Sequence, residues 1–74
     1  MTIFPSRPPE LTERQYEIIV RLAQGETNDD IAEILDISTR TVREYIGRLC
    51  RRYECAPELL PEKALGMPPV EDSY

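Results

Sequence analysis

Residues 39–53 carry five arginines against a single glutamate, Glu44, and therefore a net charge of +4, although the whole 74-residue chain has a net charge of −5. The preceding segment, residues 26–38, carries five acidic residues and no basic one. A guanidinium group is planar, and its paired N–H donors match phosphate oxygens and the O6 and N7 acceptors of guanine. The residue types of 39–53 therefore favour recognition of nucleic acid.

Residue types that support catalysis are scarce. The chain has no histidine and a single lysine, Lys63, and its three glycines stand too far apart to form a phosphate-binding loop. Two cysteines, Cys50 and Cys55, cannot complete a four-ligand metal shell, and they are too few for a secreted disulfide framework. We therefore predict reduced thiols, no metal or cofactor, and a protein that is not an enzyme.

The length of the chain allows one small domain, expected over residues 11–66. Residues 1–10 contain three prolines and predict an extended N-terminal arm, whereas residues 67–74 are acidic and aperiodic and predict a mobile tail. No signal-peptide pattern opens the sequence, and no apolar run reaches the roughly 20 residues that span a bilayer. These features predict a soluble, cytoplasmic protein with no membrane partner.

Local start and stop signals predict the helices that position the arginines. Thr12, with a glutamine three residues on, begins a capping box, and Gly25 is a stop signal, so the first helix is expected over about residues 12–24. Thr27 begins a second helix in the same way, with Asp30 three residues on. The buried face expected of this short helix comprises Ile31, Ala32, Ile34 and Leu35.

Ser38 is the expected cap of a third helix that runs to about residue 53. The apolar stripe of this helix, at positions i, i+4, i+7 and i+11, comprises Val42, Ile46, Leu49 and Tyr53. Two helices joined by a tight turn, with a preceding helix to pack against, predict an all-α helix-turn-helix arrangement. The alternative is a generic three-helix bundle.

If the apolar stripe is buried, a 100° step per residue places a second set of side chains on the opposite face. That set comprises Arg40, Glu44, Gly47 and Arg51, flanked by Arg43 and Arg48. Glu44 can accept a hydrogen bond from cytosine N4, and Thr39 and Thr41 can bond phosphate oxygens or a base edge. The alternative is a charged face that only meets solvent.

The segment "LTERQYEIIVRLAQGETNDDIAEILDISTRTVREYIGRLCRRY", Leu11 to Tyr53, resembles the LuxR-type helix-turn-helix domain of bacterial transcriptional regulators. It is similar, in order, to the patterns L-T-x-R-E-x-E-V-L, A-x-G-x-T-N-x-x-I-A, L-x-I-S-x-x-T-V-K/R and I-x-x-K-L. The resemblance implies a four-helix DNA-binding domain whose third helix enters the major groove, usually as a dimer formed through the fourth helix. Because no receiver or ligand-sensing domain fits in this chain, it also implies a stand-alone effector of bacterial or phage origin.

The resemblance implies roles for individual residues. The "TN" that lies beside the DNA backbone is matched by Thr27 and Asn28. Positions that approach DNA are matched by Ser38, Thr41 and Arg43. Arg40 matches a variable position where sequence preference arises. The chain departs from the pattern at Asp29, where the family often has a lysine that meets phosphate, and at Tyr45, where it often has a histidine. The first departure puts a repulsive charge near the duplex and implies a low intrinsic affinity for DNA. It also departs at the fourth helix.

Pro57 and Pro61 prevent one continuous fourth helix, so we expect a shortened or displaced one from near Pro61 to Gly66. Its expected apolar contacts are Leu59, Leu60, Ala64 and Leu65. The fold class expected is therefore an all-α bundle of three to four helices that contains a helix-turn-helix.

These observations favour a sequence-specific, DNA-binding transcription regulator that acts as a homodimer on an inverted repeat. The base-reading residues would be Arg40, Arg43, Glu44 and Arg48, and the phosphate contacts would come from Thr27, Ser38, Thr41, Arg51 and Arg52. The alternatives are a protein-interaction module that binds another regulator and a relative of the sigma-factor DNA-binding region. A further alternative is that the acidic tail, residues 67–74, competes with DNA for the basic helix.

Overall fold

The structure is a computed structural model that describes residues 7–66, and these contain four α-helices, one 3₁₀ turn and no β-strand. The elements are α1 (Glu13–Ala23), α2 (Asn28–Leu35), α3 (Thr39–Tyr53), the 3₁₀ turn (Pro57–Leu59) and α4 (Leu60–Leu65). This arrangement confirms the predicted all-α bundle with a helix-turn-helix formed by α2 and α3.

Reciprocal side-chain hydrogen bonds begin both of the first two helices. The Thr12 hydroxyl accepts from the Gln15 backbone N–H at 3.1 Å, and the Gln15 side chain accepts from the Thr12 N–H at 2.9 Å. Thr27 and Asp30 repeat the pattern at 3.1 and 3.3 Å. Each pair satisfies two N–H groups that have no partner within the helix, so the predicted starts are confirmed.

The turn between α2 and α3 depends on a left-handed residue that is not glycine. Asp36 has a φ of +57°, and its backbone N–H donates to the Glu33 carbonyl at 3.3 Å. Aspartate enters this region more readily than most residues because its short polar side chain is tolerated there. The resulting tight turn ends α2 at Asp36 and leaves Ile37 and Ser38 to connect it to α3.

One apolar core is shared by all four helices and by Leu11, which precedes the N-cap residue of α1. Its buried members are Leu11, Ile18, Ile19, Ile31, Ala32, Val42, Ile46, Leu49 and Leu60. α2 packs on α3, and α4 packs on α1 and α3. Tyr53, predicted for the buried stripe of α3, is only half-buried.

Two predicted core positions are wrong. Ile34 is 51% exposed, because α2 packs mainly against one neighbour and only its Ile31 and Ala32 side is covered. Leu59, expected to contact the core, is 40% exposed, whereas the next residue, Leu60, is fully buried. Adjacent residues at the start of a helix point in different directions, so only one of the two leucines faces the core.

The shortened fourth helix is confirmed. α4 has six residues and ends at Gly66, whose φ of +69° is left-handed and whose N–H donates to the Glu62 carbonyl at 2.9 Å. Pro61 lies in the first turn of α4, where a missing N–H costs no helical hydrogen bond.

A small ion-pair network fastens the end of α1 to the loop that precedes α2. Arg21 lies 3.3 Å from Glu17 and 3.3 Å from Glu26.

Within the described range the chain reaches α1 through a turn. The Leu11 N–H donates to the Pro8 carbonyl at 3.1 Å, and the Arg7 side chain donates to the Leu11 carbonyl at 2.6 Å.

The structure does not describe residues 1–6 and 67–74. The prediction of an extended N-terminal arm therefore lies mostly outside the described residues. The prediction of a mobile tail that competes with DNA for the basic helix lies wholly outside them. Between residues 7 and 66, no helix is both long and apolar enough to cross a bilayer.

Candidate nucleic-acid interface

One side of α3 carries a shallow surface lined mainly by guanidinium groups. Its lining residues, which we call the arginine face, are Arg40, Arg43, Glu44, Gly47, Arg48 and Arg51. The opposite side of α3 is buried through Val42, Ile46 and Leu49. The helical periodicity therefore predicted correctly which side chains lie together on the outer side of α3.

Arg52, predicted as a phosphate contact, is exposed but does not line the arginine face. It follows Arg51 in the last turn of α3, where a positive charge is favourable next to the helix C-terminus.

The only acidic member of the arginine face pairs with its neighbour one turn away. Nε of Arg40 lies 3.6 Å from Oε2 of Glu44. Both side chains are exposed, so water screens the pair strongly and the interaction is weak. Arg40 therefore keeps its terminal N–H donors available to a ligand on this face.

The first turn of α3 presents two hydroxyl groups that fix each other. Ser38 caps α3 by accepting from the Thr41 backbone N–H at 3.0 Å, and Oγ of Ser38 lies 2.9 Å from Oγ1 of Thr41 in a side-chain hydrogen bond. Ser38 is exposed and Thr41 is half-buried. The cap thus holds both predicted site residues at the end of α3 from which the arginine face begins.

The first turn of α2 meets the first turn of α3 through a hydrogen bond. The Thr39 hydroxyl donates to Oδ1 of Asp29 at 2.9 Å. This contact brings the start of α2, with Thr27 and Asn28, beside the start of α3. The sequence predicts a low DNA affinity from Asp29 but not its bond to Thr39, because no local signal connects residues ten positions apart on different helices.

The acidic residues that precede α3 form a separate surface. Asp29, Asp30, Glu33 and Asp36 are all exposed along α2 and its end. The charge polarity of the sequence is therefore retained in space, with an acidic α2 beside a basic outer side of α3. Of the two helices, α3 is the one that can attract a polyanion.

The two cysteines lie together at the end of α3. The Cys55 backbone N–H donates to the Cys50 carbonyl at 3.0 Å, and both residues are free thiols that are half-buried. Burial, together with the adjacent Cys55, raises the pKa of the Cys50 thiol. A raised pKa keeps Cys50 protonated and poorly reactive at neutral pH. Among residues 7–66, no group of three or more His, Cys, Asp or Glu side chains is arranged to hold a metal ion.

Comparisons with known proteins agree with this geometry. The GerE family, described as "Bacterial regulatory proteins, luxR family", matches residues 9–57. The chain is 48% identical over 44 residues to YhjB of Escherichia coli K12, a protein named as an HTH-type transcriptional regulator; the match covers 60% of this chain and 22% of YhjB.

It is also 45% identical over 42 residues to the nitrate/nitrite response regulator protein NarP of the same strain, across 57% of this chain and 20% of NarP. The matches thus cover about a fifth of the length of these relatives. No solved structure matches the chain significantly.

Proposed function

Because the chain belongs to the luxR family of bacterial regulatory proteins, we propose that it is a transcription regulator that binds double-stranded DNA with α3 in the major groove. The observation that carries this proposal is the arginine face, in which four guanidinium groups and one carboxylate surround the side-chain-free backbone of Gly47. The family match and the names of the two relatives support it. We place this activity in the cytoplasm.

The dimensions of α3 suit this role. A helix with its side chains is about 10–12 Å wide, close to the width of about 12 Å of the major groove of B-DNA. The base-reading side chains in this proposal are Arg40, Arg43, Glu44 and Arg48. Arginine matches guanine O6 and N7, and Glu44 matches the amino group of cytosine.

The hydroxyl groups and arginines at the two ends of α3 would contact the DNA backbone. The proposed phosphate contacts are Thr27, Asn28, Ser38, Thr41, Arg51 and Arg52, whereas Thr39 would meet a base edge. Phosphate contacts fix the register of a protein on the duplex, and they make binding depend on salt rather than on sequence.

We also propose that the chain acts as a homodimer on an inverted repeat. The exposed Leu59, at the junction of the 3₁₀ turn and α4, supplies apolar surface next to the helix that dimerises in the family to which this chain belongs. Sedimentation velocity with the wild type and with Leu59→Glu tests this part, because the substitution should lower the dimer fraction without changing the core.

A second candidate function is a protein-interaction module that binds another regulator. It is favoured by the net charge of −5, by the exposed acidic residues of α2 and by the exposed Ile34 on the same helix. Such a module would keep the fold but use the α2 surface instead of the arginine face.

The prediction of a stand-alone effector stays a prediction.

The test is a fluorescence titration of a labelled 25-base-pair duplex of arbitrary sequence at several salt concentrations. We expect affinity to fall steeply as salt rises, and Arg43→Ala to weaken binding by about tenfold or more. Arg14→Ala is the matched control, because Arg14 is exposed on α1 and lies outside the arginine face.

Equal losses in the two variants would mean that only net charge matters. Absence of binding at the lowest salt concentration would favour the protein-interaction module.

A further inference from the structure

Asp29 places an acidic side chain at the junction of α2 and α3. It is the second residue of α2, it is exposed, and Oδ1 accepts the Thr39 hydroxyl at 2.9 Å. None of the salt bridges among residues 7–66 includes Asp29. Its negative charge is therefore not neutralised by a neighbouring basic side chain, although it lies beside the first turn of the helix that carries the arginine face.

Resting on the DNA interface proposed above, we propose that Asp29 is a specificity-determining residue of that interface. It orients Thr39 so that this hydroxyl meets DNA as an acceptor only, and its charge lowers the affinity for duplex DNA of any sequence.

The first effect follows from the hydrogen-bonding capacity of a hydroxyl group. Threonine has one O–H donor and two acceptor lone pairs, and Asp29 takes the donor. Phosphate oxygens and the major-groove edge of guanine offer only acceptors, so they give Thr39 no partner. The amino groups of adenine N6 and cytosine N4 do offer donors. Thr39 therefore discriminates in favour of a strand that presents adenine or cytosine at this point.

The second effect follows from the electrostatics of the backbone. Affinity for duplex DNA that is independent of sequence depends on how many phosphates the protein neutralises. A carboxylate within about 8 Å of a phosphate, in surroundings between bulk water and a protein surface, weakens binding about three- to tenfold. Asp29 thus keeps the arginine face from binding every duplex tightly, and the contacts of α3 with bases then decide where the protein stays.

Three variants separate these effects. Asp29→Asn removes the charge but keeps an oxygen that can accept from Thr39, whereas Asp29→Ala removes both. Asp36→Asn is the matched control, since it makes the same change in charge at the other end of α2 and asparagine tolerates the left-handed backbone there. Circular dichroism melting checks that all three variants are folded.

The first measurement is the titration of an arbitrary duplex across a salt series. We expect Asp29→Asn to bind about three- to tenfold more tightly than the wild type at low salt, with a smaller gain for Asp36→Asn. Equal gains in the two variants overturn the charge effect.

The second measurement is selection from a pool of duplexes with a randomised centre. We expect the wild type and Asp29→Asn to enrich the same sequence, with adenine or cytosine at one position per half-site, and Asp29→Ala to lose that preference. An unchanged preference in Asp29→Ala overturns the role of Thr39.

The outcome for Arg43→Ala separates this inference from the function on which it rests. If the wild type binds and Arg43→Ala does not, the DNA interface stands whatever the Asp29 variants do. If neither the wild type nor any Asp29 variant binds duplex DNA at the lowest salt concentration, both proposals are overturned together.

Discussion

Arg40 and Glu44 form a salt bridge of 3.6 Å on the exposed side of α3, with side-chain exposures of 86% and 55%. The two residues are one helical turn apart, and the basic residue comes first, which is the weaker order for a pair on a helix. The pair contributes at most about 0.5 kcal/mol to the fold. DNA can therefore separate the pair at little cost. Separation frees the Glu44 carboxylate to accept a hydrogen bond from a base and the Arg40 guanidinium to donate one.

We expect Glu44→Gln to bind an arbitrary duplex a few-fold more tightly at low salt and to distinguish sequences less well. The substitution removes a negative charge from the arginine face and weakens the acceptor that suits cytosine. The free energy of unfolding should change by less than about 0.5 kcal/mol. Titration with duplexes of different sequence measures affinity and discrimination, and urea denaturation measures the free energy of unfolding. Glu10→Gln, an exposed change outside the helices, is the control, and an equal gain in affinity there would contradict the prediction.

Gly47→Ala should stabilise the protein by up to about 1 kcal/mol, because glycine is unfavourable inside a helix. Apart from its two chain neighbours and the backbone of its own helix, no heavy atom in the described part of the chain lies within 4 Å of the Cβ that alanine would add. If α3 enters the groove, the same substitution should weaken DNA binding by bringing a methyl group towards the duplex. The free energy of unfolding, measured by urea denaturation, should therefore rise while the affinity for DNA, measured by duplex titration, falls. A gain in stability with unchanged affinity would place Gly47 away from the DNA.

Gly66→Ala is the contrasting variant. Space around Gly66 is also open, but its φ of +69° is left-handed, so alanine should destabilise the protein by about 1 kcal/mol or more.

Ser38 has separable roles in the fold and in the interface. Ser38→Ala should lower the free energy of unfolding by about 1 kcal/mol, because the Thr41 N–H loses its partner. Ser38→Asp keeps an N-cap acceptor and favours the helix dipole, so its stability should stay within about 0.5 kcal/mol of the wild type. Its new charge should nevertheless weaken duplex binding about tenfold. Duplex binding of Ser38→Asp at wild-type strength would argue against a phosphate next to Ser38.

Cys50 should lower the free energy of unfolding as the pH becomes alkaline. Its pKa is raised above the ordinary value of 9.0 by burial and by Cys55, so the folded state holds this proton more tightly than the unfolded state. The corresponding stability is fully present below the unfolded pKa and is lost as pH rises through the folded pKa. Urea denaturation should therefore show a steeper loss of stability above about pH 9 in the wild type than in Cys50→Ala. Parallel pH profiles would rule out this contribution.

Sequence alone determined the elements of this fold whose causes are local. Thr12, Thr27 and Ser38 cap helices through partners three residues away, and the sequence therefore contains both members of each interaction within one turn. The arginine face was predicted for the same reason, since its members share a single helix and the helical repeat fixes their relative directions.

The tertiary structure decided the relationships between helices. The bond from Thr39 to Asp29 joins the starts of two helices, and the exposure of Ile34 follows from the packing of α2 mainly against α3. The choice of Leu60 over Leu59 for the core depends on where α4 meets α1 and α3. These contacts join residues that are distant in the chain, and no spacing within one helix encodes the angle or the register at which two helices pack.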